Sequence, residues 1–207
     1  MPQVLRTSHN SGAELIVWEV VETEEFFLAQ LSDNVWEDEE FLATKFPAKR
    51  LELLAARYAA KSMLSEMGLV FNGIAKDEHG KPYLIDSDMQ MSLTHTSKYV
   101  SVVFHSTLKV GIDLEKPSEK MWRIKERLFS KNEIMEIGDN LEVMSIFWSA
   151  KEALYKIYGK RGMDFKVNMS LATEKGNLIG RIAMPDQVSD HRVYTKEFME
   201  YILVWVL

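Results

Sequence analysis

The stretch PAKRLELLAARYAAKSMLSEMG, residues 47–68, governs how the rest of the chain is read. Pro47 carries a φ suited to a first helical turn and lacks an N–H that a helix start leaves unbonded anyway; Gly68 supplies the stop. Between them Leu53, Leu54, Ala60, Met63, Leu64 and Met67 fall on one stripe, and Arg50, Arg57 and Lys61 recur at helical spacing on another face. A long helix with a single apolar stripe needs a covering layer.

The flanks supply short strands. Upstream, Glu14 to Val20 (ELIVWEV) reads as a strand, Thr23 as the cap of a short helix with Glu24 and Glu25 in its first turn, and Trp36 to Lys45 as a second helical stretch. Downstream, turn signals at Asn72-Gly73 and His79-Gly80-Lys81-Pro82 separate strand candidates at Tyr83 to Ile85, Met89 to Thr94, Tyr99 to His105 and Leu108 to Leu114. The pattern then turns helical again. Trp122 to Phe129 is amphipathic, Ser130-Lys-Asn-Glu133 is a capping box, and Leu141 to Tyr158 is a further helix ended by Gly159. Phe165 to Leu207 reads as short strands broken at Lys175-Gly176-Asn177 and Pro185-Asp186. This order predicts an α+β protein of two halves, residues 1–106 and 107–207, each pairing a long helix with antiparallel strands.

Composition narrows the function classes. The 207 residues are 46% hydrophobic and 27% charged, enough to bury a sizeable core and too ordered a mix for a disordered or fibrous chain. With 25 basic against 31 acidic residues the net charge is −6, which disfavours non-specific nucleic-acid binding, so an anionic ligand needs a local basic cluster. The absence of cysteine excludes disulfides, thiolate metal sites and a Cys nucleophile. The start of the sequence has no signal-peptide pattern, and the apolar runs are too short to cross a bilayer, which makes the cytoplasm the default expectation.

Three clusters carry candidate chemistry. In Val110-Gly-Ile-Asp-Leu-Glu115, a strand puts Asp113 and Glu115 on one face and Ile112 and Leu114 on the other. Two carboxylates side by side suit a hard divalent cation such as magnesium, or are simply a strand end running into solvent. In Phe147-Trp-Ser-Ala-Lys-Glu-Ala-Leu-Tyr-Lys156, Glu152 and Lys156 are helical neighbours, either a third metal ligand beside a phosphate-binding cation or an ordinary surface ion pair. Trp148, one turn earlier, shares their face and points to partial burial. In Ser92-Leu-Thr-His-Thr-Ser97, His95 among hydroxyls could bind a phosphate, although such a histidine is more often structural.

Taken in order, Gly80-Lys81-Pro82, Ser92-x-x-His95, Gly111-Ile-Asp-Leu-Glu115 and Trp148-Ser-x-Lys-Glu152-x-x-x-Lys156 closely resemble the 4′-phosphopantetheinyl transferases, best the larger monomeric type that activates peptide and polyketide synthases. Arg50 to Arg57 resembles that family's basic helix, and Arg127 to Glu133 its segment between the two signatures. The resemblance implies a pseudo-twofold arrangement of two similar halves and a transfer of phosphopantetheine from coenzyme A to a serine of an acyl or peptidyl carrier protein, releasing 3′,5′-ADP. It implies magnesium on Asp113, Glu115 and Glu152, with Glu152 also taking the serine proton and Lys156 and Lys151 neutralising phosphate. Lys81, Thr94, His95 and Arg50 are expected to hold the nucleotide end. Carrier proteins are usually acidic, so the segment Met121 to Arg127 is expected to dock them through Arg123 and Arg127, with Met121, Trp122 and Leu128 as apolar anchors. The length favours a monomer. Two competing readings are a catalytically silent relative that binds coenzyme A or a carrier, and an unrelated interaction protein.

Overall fold

A computed structural model describes residues 3–31 and 39–207. The fold is α+β, and all its strand pairings are antiparallel. The chain divides into two compact units, Met1–Lys109 and Val110–Leu207.

In the first unit, strands β1 (Gln3–Ser8), β2 (Glu14–Glu19), β5 (Gln90–His95) and β6 (Tyr99–His105) form a sheet in the order β1-β2-β6-β5. Helices α1 (Glu24–Leu31) and α2 (Glu39–Ala43) precede the long helix α3 (Pro47–Glu66), and β3 (Ile74–Lys76) and β4 (Pro82–Leu84) make a separate hairpin. Thr23 Oγ1 accepts the Phe26 N–H at 3.3 Å, as its capping position predicts. The helical stretch expected over Trp36 to Lys45 is described only from Glu39, where it is five residues long; its earlier part lies outside the described residues. α3 runs as the Pro47 and Gly68 punctuation indicates, with Gly68 at φ +75° and the Leu69 N–H closing on the Leu64 carbonyl at 2.8 Å. Its alanines 55, 56, 59 and 60 are buried beside Leu54, Met63 and Leu64. Such small side chains let a helix axis lie close over a sheet, where Ile16, Val100, Val102 and Phe104 complete the core.

The second unit is a five-stranded sheet, β7 (Gly111–Glu115), β8 (Met169–Glu174), β9 (Asn177–Met184), β10 (Gln187–Phe198) and β11 (Tyr201–Val206), in the order β7-β11-β10-β9-β8. Its longest helix, α6 (Leu141–Tyr158), opens on Asn140, whose Oδ1 accepts the N–H groups of Glu142 and Val143, and closes on Gly159 at φ +73°. One face of α6 buries Met144, Phe147, Ala150, Ala153, Leu154 and Ile157 against Ile202, Val204 and Val206; full burial of each large apolar side chain contributes about 1.5–3 kcal/mol. Gly111 allows the closest approach: a Cβ there would sit 1.9 Å from the Ala153 carbonyl oxygen. Backbone thus packs on backbone where β7 crosses α6.

One expected element differs. Trp122 to Phe129 is no single amphipathic helix but a 3-10 turn, Glu119–Ile124, capped by Ser118, followed by the four-residue α4 (Lys125–Leu128). The next helix, α5 (Lys131–Ile137), starts at the Ser130–Glu133 capping box, with both reciprocal hydrogen bonds made.

Candidate active site

The most chemically loaded patch is built within the second unit from β7 and α6. β7 is buried over Gly111 to Leu114, and its alternation sends Ile112 and Leu114 one way and Asp113 and Glu115 the other. Pairing with β11 fixes the register, Asp113 opposite Val204 and Glu115 opposite Ile202. From α6, Lys156 reaches this strand, its ammonium donating to the Ile112 carbonyl at 2.5 Å and to Asp113 Oδ1 at 3.1 Å. Glu152 lies one turn earlier on the same face.

The electrostatics show that the three carboxylates feel one another. Burial pushes the Glu152 carboxyl up to about 7, and the Asp113 and Glu115 charges add to this while Lys156 opposes it. Glu115 is also raised, by burial and then by Asp113; the Lys116 backbone N–H, and after it Trp148 and the charge of Lys156, oppose this. Three carboxylates face one ammonium, which leaves two negative charges unbalanced when all are ionised. Among the described residues no three His, Asp or Glu side chains are closed up into a metal-ligating cluster; Asp113 takes Lys156 as its cation instead. The donor set nevertheless fits a hard divalent ion in chemistry and in charge, being made only of carboxylate oxygens.

Lys151, expected to neutralise phosphate, is corrected by the structure. It is 0% exposed, and its ammonium is enclosed by Glu133 at 2.9 Å and by the carbonyls of Leu128 (2.9 Å), Phe165 (2.8 Å) and Met169 (3.4 Å). Glu133, 1% exposed, also accepts the backbone N–H groups of Ser130 at 2.7 Å and Leu171 at 3.0 Å. Burial lowers the Lys151 pKa, and Glu133 opposes that. Such a group holds the fold together and cannot reach a ligand.

The residues expected at the nucleotide end lie in the first unit. Arg50 is partly exposed: its guanidinium donates to Glu24 at 2.6 Å and to the Phe41 and Thr44 carbonyls, and stacks 4.0 Å from the Phe41 ring. These contacts tie α1, α2 and α3 together and occupy every guanidinium nitrogen. Thr94 is buried near the end of β5, opposite Ser101. His95, exposed, stands with Nδ1 3.2 Å from Glu52 and Nε2 2.6 Å from Lys49 Nζ. Lys49 thus joins His95, a partner the sequence signalled only by its place one turn before Glu52. Lys81 is half-buried, its ammonium lowered by burial and then by Lys109.

Of the expected docking segment, Arg123 and Arg127 are exposed. Met121 and Leu128 are core residues, 7% exposed each, and so are not anchors. Trp122 is half-buried beneath the Lys125 ammonium, 4.7 Å from its ring.

Comparison with known proteins gives a consistent result. Residues 109–202 match the family model of the 4′-phosphopantetheinyl transferase superfamily, a stretch that covers almost the whole second unit. The chain is 33% identical over 123 residues to 4′-phosphopantetheinyl transferase gsp of Aneurinibacillus migulanus, covering 56% of this chain and 49% of that protein. It is 35% identical over 89 residues to 4′-phosphopantetheinyl transferase Sfp of Bacillus subtilis (strain 168), covering 40% and 39% respectively. The chain thus spans about half or less of the length of the curated relatives it matches.

Proposed function

We propose that this chain, a relative of the 4′-phosphopantetheinyl transferases, moves the phosphopantetheine arm of coenzyme A onto a serine of an acyl or peptidyl carrier protein and releases 3′,5′-ADP. The observation that carries this reading is the convergence of Asp113 and Glu115 from β7 with Glu152 and Lys156 from α6, in a segment that matches the superfamily.

Asp113, Glu115 and Glu152 are the residues to hold a divalent cation, magnesium by preference, since hard oxygen donors and phosphate oxygens together suit it. When bound, that ion supplies Lewis-acid neutralisation of a pyrophosphate. Lys156, beside Asp113, adds a fixed positive charge for a phosphate oxygen, and because it also bonds the Ile112 carbonyl it is oriented before any ligand arrives. Glu152 is the base for the serine hydroxyl: a carboxylate placed beside the cation and the attacking hydroxyl can accept its proton, directly or through water. Phosphoryl transfer asks a protein mostly for placement and charge neutralisation, and these four side chains offer both.

Lys81, Thr94, His95 and Arg50 as coenzyme contacts, and Arg123 with Arg127 as the carrier-docking pair, rest on the resemblance and on charge complementarity. Lys125, between them in sequence, is half-buried, its ammonium over the Trp122 ring and bonded to the Gly138 carbonyl. Among the described residues no helix is long and apolar enough to cross a membrane, which accords with soluble carriers as partners.

The test is intact-mass spectrometry of apo carrier proteins incubated with the protein, coenzyme A and magnesium, with a chelator control. The expected result is a magnesium-dependent gain of one phosphopantetheine arm. Magnesium-dependent stabilisation by coenzyme A without any transfer would identify a silent relative instead.

A further inference from the structure

A carrier protein has to bring its serine to Glu152, so the surface it rests on must run up to α6. The loop of residues 164–168, between α6 and β8, joins that helix to the exposed cations before α5. At one end the Phe165 ring lies 5.8 Å from Trp148 and 5.6 Å from Tyr155. These two stand four residues before Glu152 and three after it, and so flank it along α6. At the other end the Lys166 ammonium donates to the Glu126 carbonyl at 2.7 Å, which seats the loop against α4.

The loop backbone is pinned from several sides. Asp164 Oδ1 accepts the N–H groups of Lys166 at 2.8 Å and Val167 at 2.9 Å. The Asp164 N–H donates to Asn168 Oδ1 at 2.9 Å, and the Asn168 N–H returns a bond to the Asp164 carbonyl at 2.8 Å. Asn168 also bonds Ala183 of β9 through side chain and backbone, and the Phe165 carbonyl accepts from the buried Lys151. The Val167 side chain, by contrast, is 75% exposed. A lone exposed valine is ordinary. On a backbone this constrained it offers apolar surface with little freedom left to lose on binding.

Charge indicates what would cover it. Residues 119–131 hold five basic side chains against two acidic ones, a local surplus of positive charge in a chain of net −6. Lys120, Arg123, Arg127 and Lys131 are exposed there, and the exposed Lys166 carries the same sign onto the loop. Such a surface attracts an acidic partner and disfavours a second copy of this acidic chain.

We propose that residues 164–168 are a second docking element for the carrier protein: Val167 is its apolar contact, Lys166 with Arg123 and Arg127 faces the carrier's acidic side, and the carrier lies across α4 and the loop with its serine toward Glu152. The identity of the partner rests on the transferase reading proposed above; the placing of the loop between α4 and α6 does not.

The test uses the apo carrier protein that the wild type modifies best. Steady-state transfer is measured together with direct binding, by fluorescence anisotropy, of the same carrier with its acceptor serine replaced by alanine. Val167→Glu alters no group that holds the turn, so it should melt like the wild type. It should raise both the KM and the Kd for carrier about 5-fold and leave the KM for coenzyme A in place, whereas Val167→Leu, which keeps an apolar contact, should stay within about 2-fold. A folded Val167→Glu with unchanged KM and Kd for carrier overturns the proposal. Wild-type self-association in sedimentation velocity that Val167→Glu abolishes also overturns it, because the loop is then covered by a second copy. If the wild type modifies no carrier at all, the transferase reading has failed before any variant is made, and the docking element falls with it.

Discussion

Lys151 and Glu152 are neighbours on one helix, and they meet opposite fates. Lys151 is wholly enclosed and fully answered, by one carboxylate and three carbonyls. Glu152 is less buried and poorly answered: its nearest charges include two further carboxylates, and its carboxyl is pushed up to about 7. Turning about 100° around α6 converts a structural ion pair into a reactive patch. Burial therefore does not separate scaffold from site here; the balance of charge around the buried group does. A compensated ion is inert, and an uncompensated cluster is held ready for something cationic.

Several experiments can break that contrast. The largest effect should follow from Glu152→Ala or Asp113→Ala, which should lower transfer by at least about a hundredfold, the scale of losing one preorganised charge-stabilising group. The variants should keep their circular dichroism and melt cooperatively; near-normal activity in a folded variant would sink the metal-site assignment. Next comes Lys151→Ala, which leaves Glu133 buried without its cation and should cost about 3–5 kcal/mol in denaturant unfolding. The paired replacement Lys151→Met with Glu133→Leu removes both charges and should recover only part of that loss, because the Ser130 and Leu171 N–H groups and the Leu128, Phe165 and Met169 carbonyls then lose their partners. If the single and double variants were equally unstable, the pair would not be a compensated unit.

Glu152 sharpens the contrast through pH. Its carboxyl binds a proton more tightly when folded than the ordinary value of 4.5, so the penalty for ionising it is absent below about 4.5, grows as pH rises to about 7, and is constant above. Glu152→Gln should therefore stabilise the metal-free protein by about 2 kcal/mol at pH 8 and by nearly nothing at pH 4. Thermal melts at the two pH values check this, and equal shifts at both would contradict it. The smallest effect belongs to docking: charge reversal at Arg123 and Arg127 together should raise the KM for a carrier protein several-fold and leave that for coenzyme A unchanged.

Much of the scaffold was legible because its boundaries are written in local chemistry. Pro47 and Gly68, Gly159, and the Ser130–Glu133 box act over a few residues, and the helices begin or end where they say. The alternation around Asp113 and Glu115 was equally plain. Lys151 was misjudged for a different reason. It is claimed by Glu133, 18 residues away, and only that distant carboxylate makes a helix cation internal. Arg50, paired with Glu24 26 residues away, stays partly exposed. Trp122 to Phe129 misled because a 3-10 turn and a short α-helix in series mimic one amphipathic run. A carboxylate that caps one helix while buried, as Glu133 does, is the hint that a cation must be found for it.

Gly111 bears on how such a protein would age. A side chain there collides with the backbone of α6, whatever chemistry the chain performs. Asp113, Glu115 and Glu152 have no comparable architectural duty, and by the pH reasoning above at least one of them burdens the fold. A descendant released from its activity should therefore lose its acids first and keep Gly111, Glu133 and Lys151 longest. The order in which the signature decays would date the loss of function, with the glycine as the last letter still readable.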